Sequence, residues 1–307
     1  MDEFGIIAKY FAPLAGEGAF GLKDDAALLP ARPGHDMVIT TDTVTEGVDF
    51  FAFDPSGDIA RKALRVNLSD LAAKGAVPAH YLLNLSLPHT ITPDWLAGFA
   101  AGLAQDQQEF GISLLGGDTG ATDGPLSIAV TAFGFVPQGK MIRRDGALVG
   151  DAVYVTGTIG DSGGGLAIFK REKHTLPEAD RDTLIARYRV PQPPVAFAQG
   201  LRAIAHAGVD VSDGLIADLG HIASSSGVRI VVEGEAVPLS APLRAFWGEG
   251  ALLRAVVAGD DYQVAFTAPP SLQGPFTRIG RVEAGKGVSL TMGGADVTLP
   301  KTGYRHF

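Results

Sequence analysis

Hydrophobic and polar positions repeat with two different periods along this chain, and each change of period marks a new element. Phe4, Ile7, Ala8 and Phe11 recur at helical spacing and predict a short amphipathic helix at the start. Residues 15–24 are glycine-rich and read as a mobile segment. Ala26–Pro30 reads as a strand, with a turn at Pro33-Gly34. Residues 36–41 read as a second strand that delivers Asp42 at its C-terminal end. Thr43–Phe53 is a predicted loop that carries Glu46 and Asp49 and closes on an aromatic cluster. Ile59, Lys62, Ala63 and Val66 share one helical face. His80–Pro88 alternates as a strand should, and Pro93–Phe110 turns Trp95, Phe99 and Leu103 inward as a long helix. Strands follow at Ile112–Leu115, which leads into Gly116-Gly117-Asp118, and at Leu126–Val136. Strands interleaved with helices predict an α/β or α+β layered fold.

A run of glycines and basic residues at Gln138–Gly150 reads as a boundary. It divides the chain into an N-terminal domain, 1–138, and a C-terminal α/β domain, 139–307. The second domain opens on a strand at Asp151–Thr156, then a glycine-rich turn at Gly157–Gly165 and a helix over Leu166–Lys170. Residues 171–194 are polar and proline-rich and read as a surface excursion. Helices are predicted over Val195–Ala207 and Leu215–Ser225, either side of a short strand at Val209–Val211. Further strands are predicted at Val228–Val232, Ala255–Val257, Gln263–Phe266, Phe276–Val282 and Val288–Thr291.

Composition narrows the chemistry. The 307 residues are 46% hydrophobic and 19% charged, which is a globular balance. A net charge of −9 and a pI near 5.2 speak against binding nucleic acid or anionic membrane non-specifically. They leave room for anionic substrates if cations mediate. There is no cysteine, so disulfides, thiolate metal sites and cysteine nucleophiles are excluded. No apolar run approaches the length of a membrane span, and MDEFGIIAKYF does not read as a signal peptide, so a cytoplasmic protein is expected.

The stretch VNLSDLAAKGAVP at 66–78 sets Asn67, Ser69 and Asp70 inside an apolar, small-residue run. Ser69 or Asp70 reads as an N-cap for a helix ending at Gly75, or Asp70 as a cation ligand; an uncompensated buried carboxylate is too costly. Four more apolar-flanked acidic segments follow the same style, at Asp24-Asp25, Asp42, Asp118 and Asp210 to Asp213. Singly each aspartate fits a cap or turn. As a set placed at strand ends and helix starts they favour hard cations, Mg2+ or Mn2+, holding a phosphate-rich substrate.

Other motifs fall away or stay open. Gly134–Lys140 and Gly280–Lys286 fit GxxxxGK but are followed by Met141 and Gly287, not the hydroxyl residue a P-loop needs. The seven histidines show no metal-ligand spacing, His221 reads as a packing or surface residue, and no GxSxG elbow exists. The Gly157–Gly165 turn runs from strand to helix N-terminus and fits either a phosphate cradle or a plain structural turn.

Taken in order, the motifs resemble those of the thiamine-monophosphate kinases, in the superfamily of aminoimidazole ribonucleotide synthetase. They are LKDDAALL at 22–29, TTDTVTEGVDF at 40–50, KALRVNLSDLAAKGAVP at 62–78 and LLGGDT at 114–119. The second half adds RRDGALVGDAVYVTGTIGDSGGGLAI at 143–168, VDVSDGLIADLGHI at 209–222, GDDYQVAFT at 259–267 and GYRHF at 303–307. The resemblance implies an N-terminal mixed sheet that pairs with a second subunit into a barrel, and ATP and several Mg2+ ions bound between the domains. It implies Asp25, Thr40, Thr41, Asp42, Asp70, Asp118, Asp210 and Asp213 as metal-site residues. Asp42, Asp70 and Asp118 would act in catalysis through metal, with no general base, and Gly117, Asp118, Arg144 and Ser212 would contact the nucleotide. The implied reaction moves the ATP γ-phosphoryl group onto thiamine monophosphate in a homodimer.

The chain departs from the family pattern at the acceptor end. Asp49 stands where His is usual, Asp260 where Glu is usual, and Lys301 near a usual aromatic. Two other readings therefore stand beside the first. One is a related ATP-dependent kinase or synthetase for another small phosphorylated metabolite. The other is an ATP-sensing scaffold without turnover, which the complete aspartate set disfavours. The lack of cysteine disfavours the selenophosphate and hydrogenase-maturation relatives.

Overall fold

The computed structural model describes residues 2–299 and 301–304. The chain separates into two compact units, Met1–Leu71 with Ala76–Met141, and Ala72–Gly75 with Ile142–Phe307.

The first unit begins with α1 (Glu3–Ile6), capped by the Asp2 carboxylate, and runs through a π-turn at Ile7–Phe11 that buries Tyr10 and Phe11. The predicted amphipathic helix is thus present but irregular. Its elements continue as β1 (His35–Thr45), α2 (Ser56–Ala73), β2 (Val77–Pro88), α3 (Pro93–Phe110), β3 (Ser113–Thr122) and β4 (Ser127–Pro137). The strands form one mixed sheet in the order β1-β4-β2-β3. Only β2 and β3 are parallel, joined by the α3 crossover.

Alternation decides the faces of that sheet. Val38, Val44, Leu83, Leu85, Ile128 and Val130 are buried, while Met37 and Ile39 lie exposed on the opposite face of β1. The buried face carries α2 and α3, which meet through close glycine contacts, Gly57 against Gly98 and Gly102. α3 is closed at both ends, with Thr92 Oγ1 accepting from Trp95 N–H and Gly111 left-handed at φ 66°.

The second unit contains β5 (Ala152–Thr156), α4 (Asp161–Phe169), α5 (Glu178–Arg189), α6 (Ala198–Ile204), β6 (Ala207–Val211) and α7 (Leu215–Ser226). It continues with β7 (Arg229–Glu233), α8 (Ala241–Trp247), α9 (Ala251–Ala255), β8 (Gln263–Ala268), β9 (Phe276–Glu283), β10 (Gly287–Met292) and β11 (Ala295–Val297). Its seven-stranded sheet runs β11-β10-β7-β9-β5-β8-β6. One core gathers Val153, Val155, Val209, Val211, Leu219 and Ile230; a second gathers Tyr154, Phe266 and Leu201.

Several sequence expectations are corrected. Ala26–Pro30 forms no strand: Leu28 is exposed, and its N–H donates to the Gly18 carbonyl instead of a ladder. Residues 171–194 contain α5, held by Leu184 and Tyr188 one turn apart on a buried face. The 255–257 stretch closes α9 rather than forming a strand; a short apolar run does not distinguish the two. The glycine-rich 15–24 segment holds a 3-10 turn at Phe20–Leu22. Residues 305–307 of the GYRHF motif lie outside the described residues.

Candidate active site

The VNLSDL stretch lies inside one continuous helix, so neither Ser69 nor Asp70 is an N-cap. Gly75 does stop α2, as expected. It is left-handed at φ 69°, Gly75 N–H donates to Ala72 O, and Ala76 N–H donates to Leu71 O. The helix interior turns Asp70 toward β1, where the Thr40 hydroxyl donates to its carboxylate. Asp42 is two residues along the same strand face and hydrogen-bonds Asp70 as well. Burial first, then the Asp70 charge and hydrogen bond and the Asp49 charge, push the Asp42 carboxyl up to about 6. Three carboxylates and a hydroxyl therefore converge in the first unit.

The loop that carries Asp49 is tied down through Asp49 itself. Thr45 N–H donates to Asp49 Oδ2 at 2.8 Å, and the buried Lys62 ammonium donates to the Asp49 carbonyl at 2.6 Å. Phe51 and Phe53 stack with centroids 5.1 Å apart, which is the predicted aromatic cluster. Thr41 faces away from this group. It donates to Val130 O and accepts from Thr131 Oγ1, both at 3.1 Å, on the other side of the sheet.

Asp42, Asp70 and Asp118 are not at strand ends or helix starts, as sequence reading placed them. They sit within β1, α2 and β3. Gly117 has φ 152°, and a Cβ there would run into the backbone of Leu83. Asp118 is exposed on β3, at the opposite edge of the sheet from β1. The register aligns Thr43, Ala129, Asn84 and Asp118 across it, three strand spacings or about 14 Å apart at the ends. The fold of one chain thus does not bring Asp118 beside Asp42. Asp25 is exposed in the loop before β1.

In the second unit, Asp210 is buried near the end of β6, and Ser212 and Asp213 form the turn into α7. Asp218 organises that turn. Its Oδ2 accepts from Ser212, Asp213 and Gly214 N–H groups, each at 3.0 Å. Burial and the Asp213 charge push Asp218 up to about 7 against the lowering effect of those bonds. Sequence reading missed Asp218. The available signal was an acid in the first turn of a helix whose cap, Gly214, has no side chain. Asp213, Asp218 and His221 offer ligand atoms within 4.8 Å of one another.

A second strand of backbone closes on the same turn. Asp260 N–H donates to Ser212 O at 2.8 Å and Tyr262 N–H to Val211 O at 2.7 Å, with Asp260 at φ 68°. Tyr304 N–H donates to Asp213 O at 2.9 Å, so the described tail reaches it too; Lys301 is exposed nearby in sequence. Arg144 is exposed, its side chain without a partner among the described residues, and its carbonyl accepts from Ser226 Oγ at 2.9 Å. Among the described residues, no helix is long and apolar enough to cross a membrane.

The family models of the AIR synthase related proteins match this chain twice, the N-terminal domain over residues 23–136 and the C-terminal domain over 149–293. The thiamine-monophosphate kinase of Caulobacter vibrioides is 42% identical over 323 residues, covering 99% of this chain and 90% of its own. The crystal structure of thiamine-monophosphate kinase from Stenotrophomonas maltophilia K279a has a TM-score of 0.82 at 42% identity, covering 90% of this chain and 91% of that one. AaThiL complexed with AMPPCP and TMP has a TM-score of 0.83 at 32% identity, covering 99% and 97%. With its carboxylates held in this order on these elements, the chain belongs to the thiamine-monophosphate kinase family of the AIR synthase related proteins.

Proposed function

We propose that this chain transfers the γ-phosphoryl group of ATP to the phosphate of thiamine monophosphate, giving thiamine diphosphate and ADP in the cytoplasm, where ATP is made available. The observation that carries the reading is the convergence of Asp42, Asp49 and Asp70 with Thr40 on one side of β1, in a chain of this family.

The donor set fits magnesium. Every candidate ligand is a hard oxygen, and the burial and like charges that raise the Asp42 carboxyl are what a cation would relieve. Thr40, Asp42 and Asp70 would hold the ion in the first unit, with Asp25, Thr41 and Asp118 as further candidates; Asp210 and Asp213 are the candidates in the second. Magnesium held there would supply positive charge to offset that of the phosphates. The acceptor is already an anion, so no side chain has to remove a proton. The protein's task is positioning. Asp218 keeps the Ser212–Gly214 turn in one shape, Gly117 lets a nucleotide approach the backbone, and Arg144 offers a free guanidinium to a phosphate. Asp49, Asp260 and Lys301 are the positions that depart from the family pattern, and Asp260 is the acid we assign to the thiazolium cation.

We also infer a homodimer. β1 and β3 are long edge strands, and Met37 and Ile39 lie exposed on the uncovered face. A second copy closing the sheet into a barrel would cover that face and set the Asp118 edge of one chain against the Asp42 edge of the other.

ADP release with magnesium and a panel of phosphate acceptors tests the activity. Thiamine monophosphate should turn over, and Asp42→Asn should lower the rate at least about a thousandfold with an unchanged circular-dichroism spectrum. Turnover of another phosphate ester in its place would overturn the proposal.

A further inference from the structure

A cavity of about 180 Å3 lies at the head of α4 in the second unit, lined in part by the glycine-rich turn whose role the sequence left open and by none of the residues placed in the active site. Ser162, Arg187, Gln192, Asp161, Asp261 and Gln263 form its walls. The glycine-rich turn after β5 forms the rim. Gly157 and Gly160 are left-handed at φ 58° and 89°, and Cβ atoms there would collide with Gln263 and Ala255. β5 and β6 both pair antiparallel with β8, so their C-terminal ends lie at one end of the sheet. The cavity is therefore on the same sheet end as the Ser212–Asp213 turn, the end where ligands collect in α/β folds.

Two side chains that can donate into this cavity have no protein acceptor. The Ser162 hydroxyl is buried to 1% exposure and has no partner. The half-buried Arg187 guanidinium has no partner among the described residues either. The two carboxyl groups, in contrast, are engaged by the protein. Asp161 accepts from the Thr158 hydroxyl at 2.5 Å and from the Ser240 hydroxyl. Asp261 accepts from Gly160 N–H at 2.6 Å and from Ser162 N–H. Burial, with help from Asp161 and Asp260, also raises the Asp261 carboxyl well above the usual carboxylate range, which weakens its repulsion of an anion. An unpartnered hydroxyl in a buried wall costs free energy until something accepts from it. A planar cation on the wall of the same cavity matches a tetrahedral oxyanion.

We propose that this cavity binds a phosphate-type oxyanion, with the Arg187 guanidinium and the Ser162 hydroxyl as its donors. The proposal does not rest on the kinase reading.

The test is thermal unfolding of the full chain in EDTA, where metal-bridged phosphate sites are silent. Inorganic phosphate is titrated against chloride at constant ionic strength. Phosphate should raise the melting temperature saturably beyond chloride. Arg187→Met should weaken the apparent Kd by about tenfold or more, the loss expected for a charge-assisted pair, while Arg187→Lys retains part of it. Ser162→Ala deletes only an unpartnered hydroxyl, so it should fold normally and still bind several-fold more weakly. Glycerol phosphate forms the second arm: the same Arg187-dependent shift marks the ligand as a phosphate ester, and its absence marks the free ion. Equal phosphate shifts in wild type, Arg187→Met and Ser162→Ala, or no phosphate-specific shift in wild type, would overturn the proposal.

Discussion

At the scale of single residues, the acids of this protein divide by what surrounds them. Asp42 is held near a pKa of about 6 by burial and two neighbouring acids, so proton and cation compete for one site. Asp218 has a different task, since its carboxyl accepts three backbone N–H groups and shapes the turn that carries Ser212 and Asp213. Its folded-state pKa of about 7 lies above the unfolded value of about 3.9. The folded state therefore binds the extra proton between these values. The stability contribution is complete below about pH 4, is lost as pH rises to about 7, and is flat above. Urea midpoints in EDTA at pH 4.5 and 7.5 should thus diverge less for Asp218→Asn than for wild type. An equal pH dependence in both would show that Asp218 titrates as an ordinary carboxylate.

At the scale of elements, α2 explains why polar residues occupy an apolar run. Its Arg65 is fully buried and donates to Asp106 of α3 through Nε and Nη2, both at 2.8 Å, and to Glu109 at 2.6 Å. Arg61 donates to the same Asp106 at 3.0 Å, and the Arg65 guanidinium lies 4.9 Å from the Phe110 ring. This network sets the rotation of α2 against α3, and with it the face on which Asp70 meets Thr40. Asp106→Asn leaves two buried or half-buried guanidinium groups short of a counter-charge and should destabilise the fold by about 3–5 kcal/mol. Chemical denaturation measures it, and a loss below about 1 kcal/mol would contradict a buried pair of this kind. None of this was visible as a pattern, because arginines at 61 and 65 one turn apart read equally well as a solvated face.

At the scale of the whole molecule, the sheet of the first unit poses a geometric problem that a second copy would solve. Asp42 and Asp118 belong to opposite edge strands, β1 and β3. If two chains close a barrel, each site would take Asp42 from one chain and Asp118 from the other. Co-refolding inactive Asp42→Asn with inactive Asp118→Asn should then restore about a quarter of wild-type activity, since about half of the dimers are mixed and each holds one intact site. A co-refolded mixture as inactive as its parents would place both aspartates in the same chain's site.

The sequence alone determined a good deal. Period and turn residues located α3, β2 and the Gly75 stop, because those signals act between residues a few positions apart. The ordered acidic motifs identified the family and the oxygen-rich chemistry. Tertiary structure decided what local signals do not carry. It placed Asp70 inside a helix rather than at its cap, turned Thr41 away from Thr40, and separated Asp118 from Asp42 by the width of a sheet. It also showed Asp218 gathering three N–H groups, and Ser162 with Arg187 facing one cavity. The physical reason is the same in each case: a residue's type and spacing set its local conformation, whereas charge repulsion, burial and shared hydrogen bonds depend on partners tens of residues away that only packing brings within reach.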